Sequence, residues 1–375
     1  MTQLYDCLIV GSGPAGASAG YHLAKRGYSV LILEKETLPR YKPCGGGVSP
    51  IIQQWFDFDF SAAVSLKINA TRYTWQQGDP VEVPLENTEP LWMVRRDVFD
   101  HFLVQQGQKQ GVDLAENTLV TGVEEQREQV IVKTGCGHYQ GRYLIAADGG
   151  KGPLAGWLGF KNRKRVLAGA LETEVWIPNQ RDQRLHLELG MVKSGYLWNF
   201  PKADGYSLGI GAFKNRGAQN LRQVLADYAR AFEVDLTQTR HWAHPISLWN
   251  GDQRLHTDRA LLAGEAACVV DPFTAEGIRP SIWSGIKAAE AITHALRGEN
   301  QALVSYSRAI AQEWGKEMIW ARRLADTFYR FPAFGYRVGV KRPSATRTFV
   351  QITTGEKRYS ELAQRALQRL TPFPT

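Results

Sequence analysis

The glycines of Gly11-Ser12-Gly13-Pro14-Ala15-Gly16 spell G-x-G-x-x-G, and an acid, Glu34, follows after room for one helix and one strand. This pattern suits a pyrophosphate. Gly11 permits a tight turn, Gly13 lets backbone close on the phosphates, and Gly16 lets the helix pack on its strand. The free N–H groups and dipole at the helix start attract the anion. Glu34 can accept hydrogen bonds from an adenosine ribose and repels a 2′-phosphate there. Alone the glycine motif is weak; with two strands, a helix and the acid it specifies a dinucleotide.

Three further stretches hold candidate chemistry. "RYKPCGGGVSP" sets Cys44 before Gly45, Gly46 and Gly47, with Arg40 and Lys42 just upstream. A glycine run gives no side chains to a core. It is either a flexible loop or a place where backbone and one thiol approach something flat. "GYLWNFPK" puts Tyr196, Trp198 and Phe200 on one strand face by period-two spacing. That face is a sheet core or the lining of an apolar tunnel. Two apolar strands, Tyr143 to Ala147 and Ala260 to Ala263, each end in an acidic turn, Asp148-Gly149 and Gly264-Glu265. After the second, Asp271-Pro272-Phe273 leads to Gly277-Ile278-Arg279 and a helix running past Ala291.

These residues need elements to hold them. "YDCLIVGSGPAGASAGYHLAKRGYSVLILEKE" reads as strand, glycine turn, helix from about Pro14 to Lys25, and strand, with Gly27 near the helix end. An amphipathic helix is expected from Asp97 to Gln110, opened by Arg96. Residues 166–247 carry strand-like runs separated by turns, with a helix in "LRQVLADYARAF". Beyond Gln301 the chain reads as helical, with a basic, aromatic tail.

At 375 residues the chain has room for about two domains. Its net charge of +8 favours acidic partners. The charge is not gathered in a low-complexity arm, so nucleic acid is not expected. Cys7, Cys44, Cys136 and Cys268 are far apart, which excludes a disulfide framework and fits a reducing compartment. "MTQLYDCLIV" lacks the basic start of a signal peptide, and no run of about 18 apolar residues suggests a membrane span. A cytoplasmic protein is expected, with at most peripheral membrane contact. His241 and His244 have no evident third ligand, so no metal is expected. No G-x-S-x-G elbow or defensible carboxylate pair is present.

The glycine turn, the ADG segment and the late G-[DE]-A-A…DP…EGI segment resemble the flavoprotein monooxygenase fold of para-hydroxybenzoate hydroxylase. Within that fold, "KPCGGGVS", "GYLWNFPK" and "VDPFTAEGIRPSIWSG" look like the geranylgeranyl reductase family, over roughly residues 4–330. Spacing alone stops at "dinucleotide"; the resemblance implies FAD. It implies α/β architecture. A Rossmann-type FAD-binding domain (1–70, 90–165 and 250–300) interleaves with an antiparallel-sheet substrate domain (71–89 and 166–249), and a helical region (301–375) follows.

The implied cofactor contacts are Gly11, Gly13, Pro14, Ala15, Gly16, Glu34, Lys35, Arg40, Cys44, Gly45, Gly46, Gly47, Arg96, Val120, Asp148, Gly149, Gly264, Glu265, Pro272, Gly277 and Ile278. Glu265 stands where the family usually has Asp, Cys268 follows, and "AEGI" replaces "GEGI". "ADGGKGPL" lacks the usual closing Arg, with Lys151 as a substitute charge.

The implied activity is flavin-dependent reduction of C=C bonds in an isoprenoid or prenyl-lipid chain. Cys44, Gly45, Gly46, Tyr196 and Trp198 would act at the reacting end, the glycines as a floor admitting the chain and Cys44 as a proton relay or a close-packing thiol. The donor would be NADPH or a ferredoxin-type protein. Two rival readings stand beside this: a flavin monooxygenase or halogenase of an apolar or aromatic substrate, and a flavin- or prenyl-binding protein without turnover.

Overall fold

The computed structural model describes residues 3–85, 89–160, 163–178, 180–213 and 219–370, with side chains to 364. The chain divides into two units, 1–42 with 96–166 and 246–316, and 43–95 with 167–245 and 317–375.

In the first unit, short apolar runs bounded by glycine form a parallel sheet. Its order is Asp113–Ala115, Val30–Leu33, Leu4–Val10, Gly137–Ala146, with Ala260–Leu262 pairing to the last. Strands buried on both faces must be apolar throughout. Leu8, Ile9, Ile32, Leu144, Ile145 and Leu261 accordingly lose nearly all solvent contact. The ribbon Val120–Glu125 and Val130–Thr134 extends the sheet antiparallel.

Helices Pro14–Ala24, Arg96–Lys109 and Ile278–Leu296 belong to this unit. The first starts with Pro14, whose fixed φ is preset for a first helical position. It meets the third helix at Gly285, where an added Cβ would lie 2.2 Å from the Ala15 carbonyl oxygen.

The second unit is built on a seven-stranded sheet. Its order is Trp242–Leu248, Val166–Trp176, Gly205–Ala212, Gly195–Lys202, Arg184–Leu189, Ala70–Trp75, Gly78–Pro84. The expected antiparallel pairing runs from Val166–Trp176 through Arg184–Leu189. It fails at one junction, where Arg184–Leu189 and Ala70–Trp75 run parallel. A parallel pair needs a long connection, and here over a hundred residues intervene. Gly47–Val48, Leu91–Met93 and Leu66–Ile68 form a small separate sheet.

The boundaries differ from the sequence-based ones at several places, with 246–249 and 301–316 lying in the first unit. Residues 43–70 and 90–95 lie together with the second unit, where Gly47–Val48 pairs with Leu91–Met93. The C-terminal helices are not a separate region. From 317 onward they pack into the second unit, with Tyr336, Val340 and Val350 in one core with Tyr73 and Leu185.

Candidate functional site

In the first unit the glycine turn is held by its own acid. The Ser12 backbone N–H and hydroxyl donate to Glu34 Oε2 at 3.0 and 2.5 Å, and the Glu36 amide donates to Oε1 at 3.0 Å. Burial pushes the Glu34 carboxyl up. Arg40 and the donors from Ser12 and Glu36 outweigh this and hold it below the usual range. Glu34 therefore braces the turn as well as standing where a ribose acceptor is expected.

Gly11 (φ +102°) is pressed against Ala147, whose carbonyl oxygen would be 2.4 Å from an added Cβ. Gly16 is pressed on the Gly11 carbonyl at 1.9 Å by the same measure. Gly13 caps the helix, and no side chain takes the cap position. An anion can occupy that end.

Arg40 and Arg96 converge on Asp100, which is fully buried. Arg96 makes two bonds of 2.7 Å to it, and Arg40 lies 3.3 Å away while also reaching Glu34 at 3.5 Å. Both arginines sit inside a buried ion cluster beside the turn. Lys35 is exposed and pairs with Glu36. Val120 begins the outer ribbon, two residues past Thr118, whose amide donates to the Glu34 carbonyl.

The acidic turns come together. Gly264 (φ +64°) packs on Ala15, its would-be Cβ 2.8 Å from the Ala15 Cβ. Glu265 Oε1 accepts from the Ser247 amide at 3.0 Å. Asp148 Oδ2 accepts from the Leu154 amide at 2.9 Å, whereas Asp148 Oδ1 is buried without a hydrogen-bond partner. Burial pushes this carboxyl up, against Leu154, Arg163 and Arg165, which pull it down. An orphaned acceptor beside Gly149, which has open space around it, fits the hydroxyl of a cofactor.

Sequence reading assigned charge here to Lys151, which instead is exposed. Arg165 donates to the Gly150 carbonyl and to Ser247 Oγ (2.7 Å), and Arg163 donates to the Ala266 carbonyl and Cys268 Sγ (3.1 Å). These guanidiniums stand on a pocket of about 280 Å³ lined also by Gly149, Gly152 and Phe160. No motif marked them, since they lie outside the ADG segment.

Further on, Asp271 Oδ1 accepts the Phe273 and Thr274 amides, shaping the Pro272 turn. Gly277 caps Ile278–Leu296 with no side chain at the cap, and a bidentate Glu276–Arg279 pair (2.7 Å each) stiffens its start.

The second unit holds the cysteine–glycine turn. On the side where a Cβ would stand, its glycines are packed, while Gly45 and Gly47 stay half-buried. A Cβ on Gly45 would lie 2.7 Å from the Phe200 ring, one on Gly47 3.1 Å from it, and one on Gly46 (φ +73°) 2.0 Å from the Val94 carbonyl oxygen. The glycines are required because the turn runs under the aromatic row.

Sequence reading overlooked what fastens it. Lys202, with no solvent exposure, donates from Nζ to the Gly45 and Val94 carbonyls at 2.6 and 2.9 Å. Burial lowers its pKa to about 8, against the pull of Glu174, Cys44 and Glu172. Cys44 is half-buried, and its Sγ accepts from the Gly46 amide at 3.4 Å.

Tyr196, Trp198 and Phe200 do share a face, with neighbouring ring centroids 6.2 and 6.3 Å apart. The Trp198 indole lies over Gly209, and its N–H donates to Ser207 Oγ (3.3 Å), which donates to Glu172 (2.9 Å).

A glycine-turn βαβ sheet with a second acidic turn and an uncapped helix defines a dinucleotide-binding protein. Residues 4–314 match the FAD binding domain family, to which the chain belongs. It is 30% identical to an uncharacterized protein of Methanosarcina barkeri, over 87% of this chain and 83% of that one. It is 28% identical to the digeranylgeranylglycerophospholipid reductase of Methanocella arvoryzae, over 85% of this chain and 86% of that one. Among solved structures, a geranylgeranyl bacteriochlorophyll reductase-like protein of Thermoplasma acidophilum superposes with TM-score 0.78 at 24% identity, covering 87% and 88% of the two chains. The chain is thus an FAD-dependent oxidoreductase with the geranylgeranyl-reductase architecture.

Proposed function

We propose that this protein reduces C=C bonds of a geranylgeranyl-type chain on a lipid or diphosphate. The likeness to a reductase of prenylated phospholipid along 85% of the chain carries this reading. The apolar aromatic face of Tyr196, Trp198 and Phe200 beside the cysteine–glycine turn supports it.

Gly11, Gly13, Pro14, Ala15 and Gly16 would hold the pyrophosphate of FAD, with Glu34 on the ribose. Arg40 and Arg96, paired with Asp100 and Glu34, balance the carboxylates beside that turn. Asp148 Oδ1 and Glu265 would accept ribityl hydroxyls, and the amides at Gly277 and Ile278 would face the electron-rich ring. Bound and reduced, FAD supplies the hydride.

An isolated alkene develops no oxyanion to stabilise, so placement and the second proton are the protein's task. Cys44 Sγ holds that proton, and Lys202 Nζ replaces it. A lysine near pKa 8 is matched to proton transfer close to neutrality. The electron donor is a pyridine nucleotide or an acidic ferredoxin-type protein, either suiting a basic chain.

The test is anaerobic incubation of the reduced holoprotein with digeranylgeranyl glycerolipid or geranylgeranyl diphosphate, followed by mass spectrometry. Products gaining two hydrogens per double bond are expected. Oxygen-dependent hydroxylation or halogenation of an aromatic compound, with no saturated prenyl product, would overturn the reading. Flavin bleaching by NADPH or by reduced ferredoxin identifies the donor.

A further inference from the structure

We infer that the corner following helix Lys316–Arg330 in the second unit is a docking face for an anionic lipid bilayer. This deepens the prenyl-lipid reading and rests on it only for its purpose. Between residues 317 and 358 stand nine lysines and arginines against three acids, in a chain whose whole net charge is +8. The positive excess is therefore concentrated here.

Exposed apolar side chains lie among these charges. Ile319 is 42% exposed, Phe331 57% and Phe334 65%. On the helix, Met318, Ala321, Ala325 and Tyr329 face inward. Ile319, Arg323 and Arg330 follow at spacings of four and seven, which puts them on one outward stripe. The Arg330 guanidinium lies 5.5 Å from the Phe331 ring, and that of Arg323 lies 4.7 Å from Trp320. Cations beside aromatic rings are suited to the headgroup boundary, where ring and charge are both satisfied.

The corner is mounted firmly. Buried Tyr336 donates to the Tyr73 and Asp79 carbonyls (3.3 and 2.5 Å), and Lys341 pairs with the Asp79 carboxylate at 2.8 Å. Arg337 and Arg342 remain exposed beyond it. A nucleic acid or an acidic protein would use the charges but has no call for two projecting phenylalanines. A bilayer uses both, combining electrostatic attraction with shallow insertion. Among the described residues no helix is long and apolar enough to cross a membrane, so the contact is made at the surface.

The test is sedimentation of the full-length holoprotein with vesicles free of isoprenoid. Expected is binding to phosphatidylglycerol-rich vesicles, weaker by about tenfold with phosphatidylcholine alone or at high salt. Phe331→Ser with Phe334→Ser should lower partitioning about tenfold. Arg323→Glu with Arg330→Glu and Arg337→Glu should abolish it. Circular dichroism and retained flavin report folding, and Phe334→Ala alone is a milder second variant.

Equal partitioning of the phenylalanine variants, or no native binding to acidic vesicles, overturns the inference. So does phenylalanine-independent binding to duplex DNA or to an acidic protein. Turnover of detergent-dispersed prenyl substrate by the phenylalanine variants separates the two readings. Vesicle binding without prenyl reduction sinks the reductase reading alone.

Discussion

Lys202 is held folded in a state its solvation opposes. Its pKa falls from 10.5 to about 8, so between those values the unfolded chain keeps a proton that the native chain has lost. Stability therefore rises with pH across that window, by about 3 kcal/mol for this group. Urea unfolding at pH 7 and pH 10.5 should show this as a difference between the two proteins: the change with pH should be more favourable in the native chain than in Lys202→Met by about 3 kcal/mol. The same substitution should cut prenyl reduction by about 100-fold, and Cys44→Ala likewise. Full turnover by Cys44→Ala would remove the thiol from the proton path.

Gly46→Ala should cost at least about 2 kcal/mol, since its positive φ and the Val94 carbonyl both exclude a Cβ. Thermal melting measures this. "CGGG" announced itself as unusual, but the reason did not. Contacts among residues 45, 94 and 202 join three distant segments, which no local pattern reveals.

Among the elements, the helix Pro14–Ala24 follows the glycine turn and packs at Ala15 against Gly264 and Gly285. Gly285→Ala would drive a methyl into the Ala15 carbonyl, and should prevent recovery of folded, yellow protein. Glu34 holds the same turn electrostatically. Its folded pKa lies below the usual 4.5, so its contribution is complete above pH 4.5 and disappears as pH falls through the lower folded value. Flavin fluorescence should report release over that acidic range, and Glu34→Gln should release flavin already at neutral pH. If the variant binds FAD as tightly as the native chain, Glu34 has no part in holding the turn.

The strand–turn–helix elements were legible because their signals are local: apolar runs, glycine spacing and helix periodicity. The parallel junction between Ala70–Trp75 and Arg184–Leu189 was not, because pairing direction depends on where a long connection returns.

At the scale of the molecule, a chain that crosses five times between two units is stabilised by whatever binds the folded state. Adding FAD to flavin-free protein at a hundredfold excess over its Kd should raise unfolding free energy by about 3 kcal/mol. Calorimetry with and without FAD reads this directly. Riboflavin, lacking the pyrophosphate, should give much less, because the glycine turn and its helix end would stay unused.

The sequence by itself determined the dinucleotide turn, its acid and the order of elements, since each rests on steric demands within a few neighbouring residues; the flavoprotein family came from the resemblance of its motifs. Only the tertiary structure decided which side chains stand beside each motif. It brought Arg163 and Arg165 to the ADG turn, left Asp148 Oδ1 without a partner, and set Lys202 under the glycines. The physical reason is that burial and desolvation arise only when remote segments meet, and these set both the charge state of Lys202 and the need for glycine at 45 to 47.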